Sequence, residues 1–100
     1  MSKLKNYILN ETMKKVPEEN EFTTDGEILQ YAIQAELDAI NLYQYLSRKS
    51  KNENVKKVLL DIAKEEKTHI YEFQLLLEKL DKEYPEEKEN AQKELDDMDV

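Results

Sequence analysis

Two long stretches of this chain carry apolar residues at spacings of three and four, the period of one helix face. Both stripes are broken by charged residues in mid-run. In the second stretch Val55, Leu59 and Ile62 lead on to Phe73, Leu76 and Leu80, and the same spacing passes through Glu66 and His69. In the first, Leu29, Ile33, Ile40, Tyr43 and Ser47 form the stripe with Glu36 inside it, and Ala32, Ala35, Ala39, Leu42 and Leu46 flank it. An ionised group in an apolar seam costs several kcal/mol, roughly, unless something compensates it. A sequence that places carboxylates there on both helices has a use for them.

The residues between these stretches define a hairpin. Thr24-Asp25-Gly26-Glu27 reads as a capping box opening a helix to about Lys49. Ser50-Lys51-Asn52-Glu53-Asn54 is a short polar break with Asn52 or Asn54 as the next cap, and the second helix runs from about Glu53 to Lys82. A connection this short makes the helices antiparallel neighbours. Pro85 sits where a third, mostly charged helix can begin, running to Leu95. The division expected is a flexible arm over residues 1–22, with a short helix near 3–14, a hairpin over 23–83 and an acidic helix or tail over 84–100. The class is all-α. Two helices make a thin core, so oligomerisation is expected.

Composition narrows the chemistry. A net charge of −8 argues against nucleic acid or an anionic membrane as partner and suits a chain that attracts cations. The absence of Cys removes disulfide frameworks, zinc–thiolate sites and iron–sulfur clusters, and fits a cytosolic protein. No run of 18 apolar residues and no signal-peptide apolar region are present.

Registry supplies the strongest constraint. Glu36 lies 15 residues before Lys51 and Glu66 lies 15 after it. At 1.5 Å per residue both stand about 22 Å from the turn, side by side, with His69 one turn further on. Two carboxylates and an imidazole without thiolate suit iron, manganese or zinc. Di-iron carboxylate bundles use a Glu from each of two helices and a Glu-x-x-His pair from each of two others. This chain holds half of that set, and a two-fold related copy would complete it. Four glutamates would then balance two ferrous ions, leaving both imidazoles neutral.

The run Ala35-Glu36-Leu37-Asp38-Ala39-Ile40-Asn41-Leu42-Tyr43, followed by Glu65-Glu66-Lys67-Thr68-His69, closely resembles the encapsulated ferritins, and the likeness covers about residues 25–80. The archaeal-type members, some fused to the shell protein, are especially similar. The resemblance implies a hairpin that dimerises into a ferritin-like four-helix bundle and a ring-shaped decamer of dimers. It implies a di-iron ferroxidase centre between paired chains, oxidising Fe(II) to Fe(III) for mineral storage in a cytoplasmic encapsulin compartment, with the encapsulin shell protein as partner. Residue by residue, Glu36, Glu66 and His69 match iron ligands, Tyr43 matches a tyrosine beside the centre, and Asp38 matches an acidic residue on the metal entry path. Ala35 and Leu42 stand where some members carry the Glu and Trp of a secondary metal site. The last residues, Asp96-Asp97-Met98-Asp99-Val100, are more acidic than a usual shell-docking peptide.

Other readings of the same residues remain open. Glu66 and His69 could be a helix surface pair, and Glu36 could bridge to Lys64 or Lys67 of a neighbour. Tyr43 could be packing alone, and Asp38 could be simply solvated. A peroxide-reducing di-iron protein of the rubrerythrin kind is a second function, though the missing Cys and the single Glu-x-x-His weigh against it. A helical interaction module with a structural metal is a third.

Overall fold

The computed structural model describes Phe22 and residues 24–100. Helix α1 spans Asp25–Lys49, α2 spans Glu53–Leu80 and α3 spans Glu83–Asp97, with no strand among the described residues. The all-α expectation holds. The arm over residues 1–22 and its short helix lie outside the described residues except for Phe22, whose ring meets Tyr31 edge-on at 5.4 Å. No helix among the described residues is long and apolar enough to cross a membrane.

Each helix start is built by side chains that the sequence singled out. Thr24 Oγ1 accepts from the Glu27 N–H at 3.1 Å. Asn52 Oδ1 accepts from the N–H groups of Asn54 and Val55 at 2.9 and 3.1 Å, and so satisfies two donors that a helix start leaves orphaned. The second helix ends at Leu80, two residues before the expected stop, because Asp81 turns the chain. The Asp81 N–H closes α2 on the Leu77 carbonyl at 2.8 Å, and its Oδ1 accepts from the Glu83 N–H at 3.0 Å to start α3. Pro85 falls in the first turn of α3, where its missing N–H is not needed.

The hairpin carries the core. Ala39, Ile40, Tyr43, Ala63 and Ile70 form the buried cluster, with Ile33, Leu42, Leu59 and Ile62 packed against it. A Cβ placed on Gly26 would meet Leu77 Cδ2 at 3.8 Å, so the start of α1 lies against the end of α2, as an antiparallel hairpin requires. By contrast, α3 buries no residue. Its ties are the Lys88–Glu78 ion pair at 3.3 Å and a bond from Gln30 Nε2 to the Tyr84 hydroxyl at 2.8 Å.

One expectation needs correcting. The expected seam of α2 included Val55, Leu76 and Leu80, all of which are exposed. The contacts with α1 run instead through Leu59, Ala63, Glu66, Ile70, Phe73 and Leu77, again at spacings of four and three. The apolar sector of α2 is wider than one neighbouring helix can cover, so two adjacent lines satisfy the same periodicity. Glu66 belongs to the covered line. His69 stands at its margin, on the bare one.

Candidate metal site

Glu36 reaches the seam from the middle of α1 and Glu66 from the middle of α2. Glu66 is buried, its side chain only 6% exposed, and the Glu36 side chain is 14% exposed. Both Oε2 atoms are sealed from solvent. His69, one turn beyond Glu66, brings Nδ1 to 3.5 Å from Glu66 Oε2 and 3.6 Å from Glu36 Oε2. Its side chain is 45% exposed, so the imidazole connects a buried carboxylate pair to the open flank of the hairpin.

One ligand atom from each of these three residues lies within 4.8 Å of the others, forming a group able to hold a metal ion among the described residues. Donors about 2.1 Å from a common ion stand roughly 3 to 4 Å apart, the range seen here between imidazole and carboxylates. Oxygen and imidazole donors without sulfur suit iron. Two carboxylates at one level of an apolar seam repel each other and lose hydration, and a divalent cation removes both costs.

The other residues selected from the sequence lie elsewhere. Tyr43 is almost fully buried, two turns along α1 from Glu36, in the cluster with Ala39, Ile40, Ala63 and Ile70. Asp38 is half-buried and follows Glu36 by two residues, which turns it about 200° round the helix and away from the carboxylate pair. Its Oδ1 accepts from Gln34 Nε2 at 3.3 Å, a contact the sequence reading had not drawn although the spacing of four allows it. Ser47, the polar end of the α1 stripe, is buried and donates its hydroxyl to the Gln44 carbonyl at 2.7 Å.

Comparison with known proteins follows the same hairpin. The family model for rubrerythrin matches residues 27–97. A ferritin-like–encapsulin shell fusion protein of Pyrococcus furiosus is 61% identical over 57 residues, which is 57% of this chain and 16% of that protein. The crystal structure of the encapsulated ferritin domain from Pyrococcus furiosus superposes with a TM-score of 0.71 at 44% identity, covering 83% of this chain and 88% of that domain. The chain therefore belongs to the rubrerythrin family and, within it, to the encapsulated ferritins.

Proposed function

We propose that the chain is a ferroxidase whose di-iron centre forms between two subunits, each giving Glu36, Glu66 and His69. The observation that carries this reading is the half-set itself: two carboxylates and one imidazole within 4.8 Å, opening onto the bare flank of α2. Fe(II) is the substrate; two ferrous ions give up one electron each, and O₂ or hydrogen peroxide accepts the pair. The protein's part is to collect, space and hold the ions. Glu66 sits deepest and has α1 on one side and the open flank on the other, which suits it to bridge the two ions. Glu36 and His69, whose donor atoms lie 3.6 Å apart in one chain, would then hold the same ion. Ile33 and Ile40, about one turn either side of Glu36, and Ile62 and Ile70, about one turn either side of Glu66, give the carboxylates apolar flanks within the core. Tyr43, two turns along α1 from Glu36, and Asp38, on another face of that helix, would act at a distance from the donors, Asp38 as part of the negative charge that raises the local Fe(II) concentration.

The printed name of the fusion relative joins a ferritin-like part to an encapsulin shell. By extension, this chain acts inside a cytoplasmic encapsulin compartment, as dimers gathered into a decameric ring, and delivers Fe(III) for mineral storage there. The family match to rubrerythrin favours a second reading, reduction of hydrogen peroxide by the same centre. Anaerobic loading with Fe(II) followed by either O₂ or peroxide, with the ferric absorbance followed in time, tests both. Oxidation far faster than in buffer and lost in Glu66→Ala supports a ferroxidase. A response to peroxide alone favours the second reading, and binding without acceleration leaves a structural metal.

A further inference from the structure

Helix α3 carries the pattern of a packed helix but meets the hairpin only at its start. Tyr84, Lys88, Ala91, Leu95 and Met98 follow one another at spacings of four and three, so they share one face. The first two reach the hairpin: the Tyr84 hydroxyl accepts from Gln30 Nε2 at 2.8 Å, and Lys88 pairs with Glu78 at 3.3 Å. Beyond Lys88 every residue is exposed, Leu95 at 45% and Met98 at 67%. The near ends of α2 and α3 leave a wedge of about 430 Å³ between them, with Tyr71, Leu75 and Glu78 on one wall and Tyr84, Glu87 and Lys88 on the other.

The α2 wall of this wedge is bare as well. Tyr71 is 66% exposed and Leu75 is 55% exposed. Tyr71 follows His69 by two residues, about 200° round the helix, so this outer face is not the one that carries the metal donors. Lys67 and Lys64 continue the line of Tyr71 towards the closed end of the hairpin, at spacings of four and three. Both lysines are exposed, and neither makes an ion pair among the described residues.

We infer that α3 is a hinged lid, which swings about Asp81 and Lys82 to lie antiparallel along this outer face of α2. Distances from the bend set the contacts. Ala91 and Tyr71 each stand 10 residues from Asp81, Leu95 and Lys67 each 14, and Met98 and Lys64 each 17. Closing puts Ala91, the small residue of the stripe, against the Tyr71 ring and runs Leu95 and Met98 along the lysine stems. Glu94 and Asp99, on the flanks of the α3 stripe, then come beside Lys67 and Lys64. Lys88 reaches Glu78 in both positions. The Gln30–Tyr84 bond draws Tyr84 to α1 instead of α2 and is the latch of the splayed position. Exposed ties of this kind are each worth little, so the two positions lie close in free energy and both are populated. The splayed form presents Leu95 and Met98 outward, and the closed form covers them together with Tyr71 and Leu75. Neither depends on the metal site.

The natural absence of Cys makes the test direct. Spin labels are placed at Lys57→Cys and Asp97→Cys, both exposed and outside the groups that pair on closing. The full chain, before iron is added, is diluted with excess unlabelled protein, so that double electron–electron resonance reads distances within one chain. Circular dichroism verifies the helix content of each variant. Two populations are expected, one near about 20 Å for the closed lid and one beyond about 30 Å for the splayed one. Tyr84→Phe should raise the ratio of short to long by about two- to tenfold, the worth of one hydrogen bond. Lys64→Glu combined with Lys67→Glu should remove the short population, and salt at about 1 M should deplete it without any substitution in the lid. A single long distance in every variant would overturn the inference. So would a short distance indifferent to both charge reversal and salt.

Discussion

The two apolar lines of α2 have the same periodicity and opposite fates. Leu59, Ala63, Glu66, Ile70, Phe73 and Leu77 face α1 and pack, whereas Val55, Val58, Ile62, His69, Leu76 and Leu80 run beside them, most of them substantially exposed. One line makes the hairpin. The other is finished to the same apolar standard, yet among the described residues only Ile62 and His69 of it reach the core and the carboxylates, and the rest stand exposed. Glu66 stands in the first line and His69 in the second, three residues apart. The site therefore straddles the boundary between the part of the core that one chain completes and the part it leaves open.

The sharpest way to break this comparison is Glu66→Leu. Oxidation of Fe(II) should fall to the rate in buffer, a loss of about 100-fold or more, since even outer partners of a metal site are worth 10- to 100-fold. The metal-free protein should at the same time keep its stability, because one of two like charges at one level of the seam is removed while His69 keeps Glu36 as its partner. Loss of both activity and stability, measured by stopped-flow absorbance and urea unfolding, would mean that Glu66 holds the hairpin rather than the metal.

Next in size is a pair of truncations, one on each line. Ile70→Ala should cost about 2–5 kcal/mol of folding stability at any protein concentration. Leu76→Ala should leave dilute-solution unfolding nearly unchanged and weaken assembly, so that only the concentration dependence of the melting temperature moves. Equal losses at both positions would erase the distinction between the two faces. Smaller still, Asn52→Ala should cost about 1 kcal/mol by removing the two cap bonds, without altering iron oxidation. Asp38→Asn should have the smallest effect. It should slow oxidation only at low Fe(II), leave the saturating rate unchanged, and lose its effect as salt screens the approach.

How much of this was legible before the coordinates depended on the kind of signal. Caps are local chemistry, so Thr24 and Asn52 could be read directly. Registry is arithmetic on a rigid helix, so Glu36, Glu66 and His69 could be brought to one level from their distances to the turn. Which of two adjacent apolar lines faces the neighbour is different, because a spacing of three and four describes both Leu59–Ile62–Glu66–His69 and Leu59–Ala63–Glu66–Ile70. Ala63 and Ile70 decide the matter only through contact with Ala39, Ile40 and Tyr43 of α1, and no pattern within one helix reports on that. The placement of α3 was legible for a similar reason only in part. Pro85 marked its start to within a turn, but the Asp81 side chain that caps it acts across a bend that periodicity does not describe.

The measurement closest to the central claim is native mass spectrometry during an anaerobic Fe(II) titration. A centre shared between two chains predicts that monomers carry no tightly held iron, that dimers carry two ions, and that dimer and larger species grow as iron is added until about one ion per chain is bound. Monomers that fill with iron and stay monomeric would contradict it, and would place a complete site within a single hairpin.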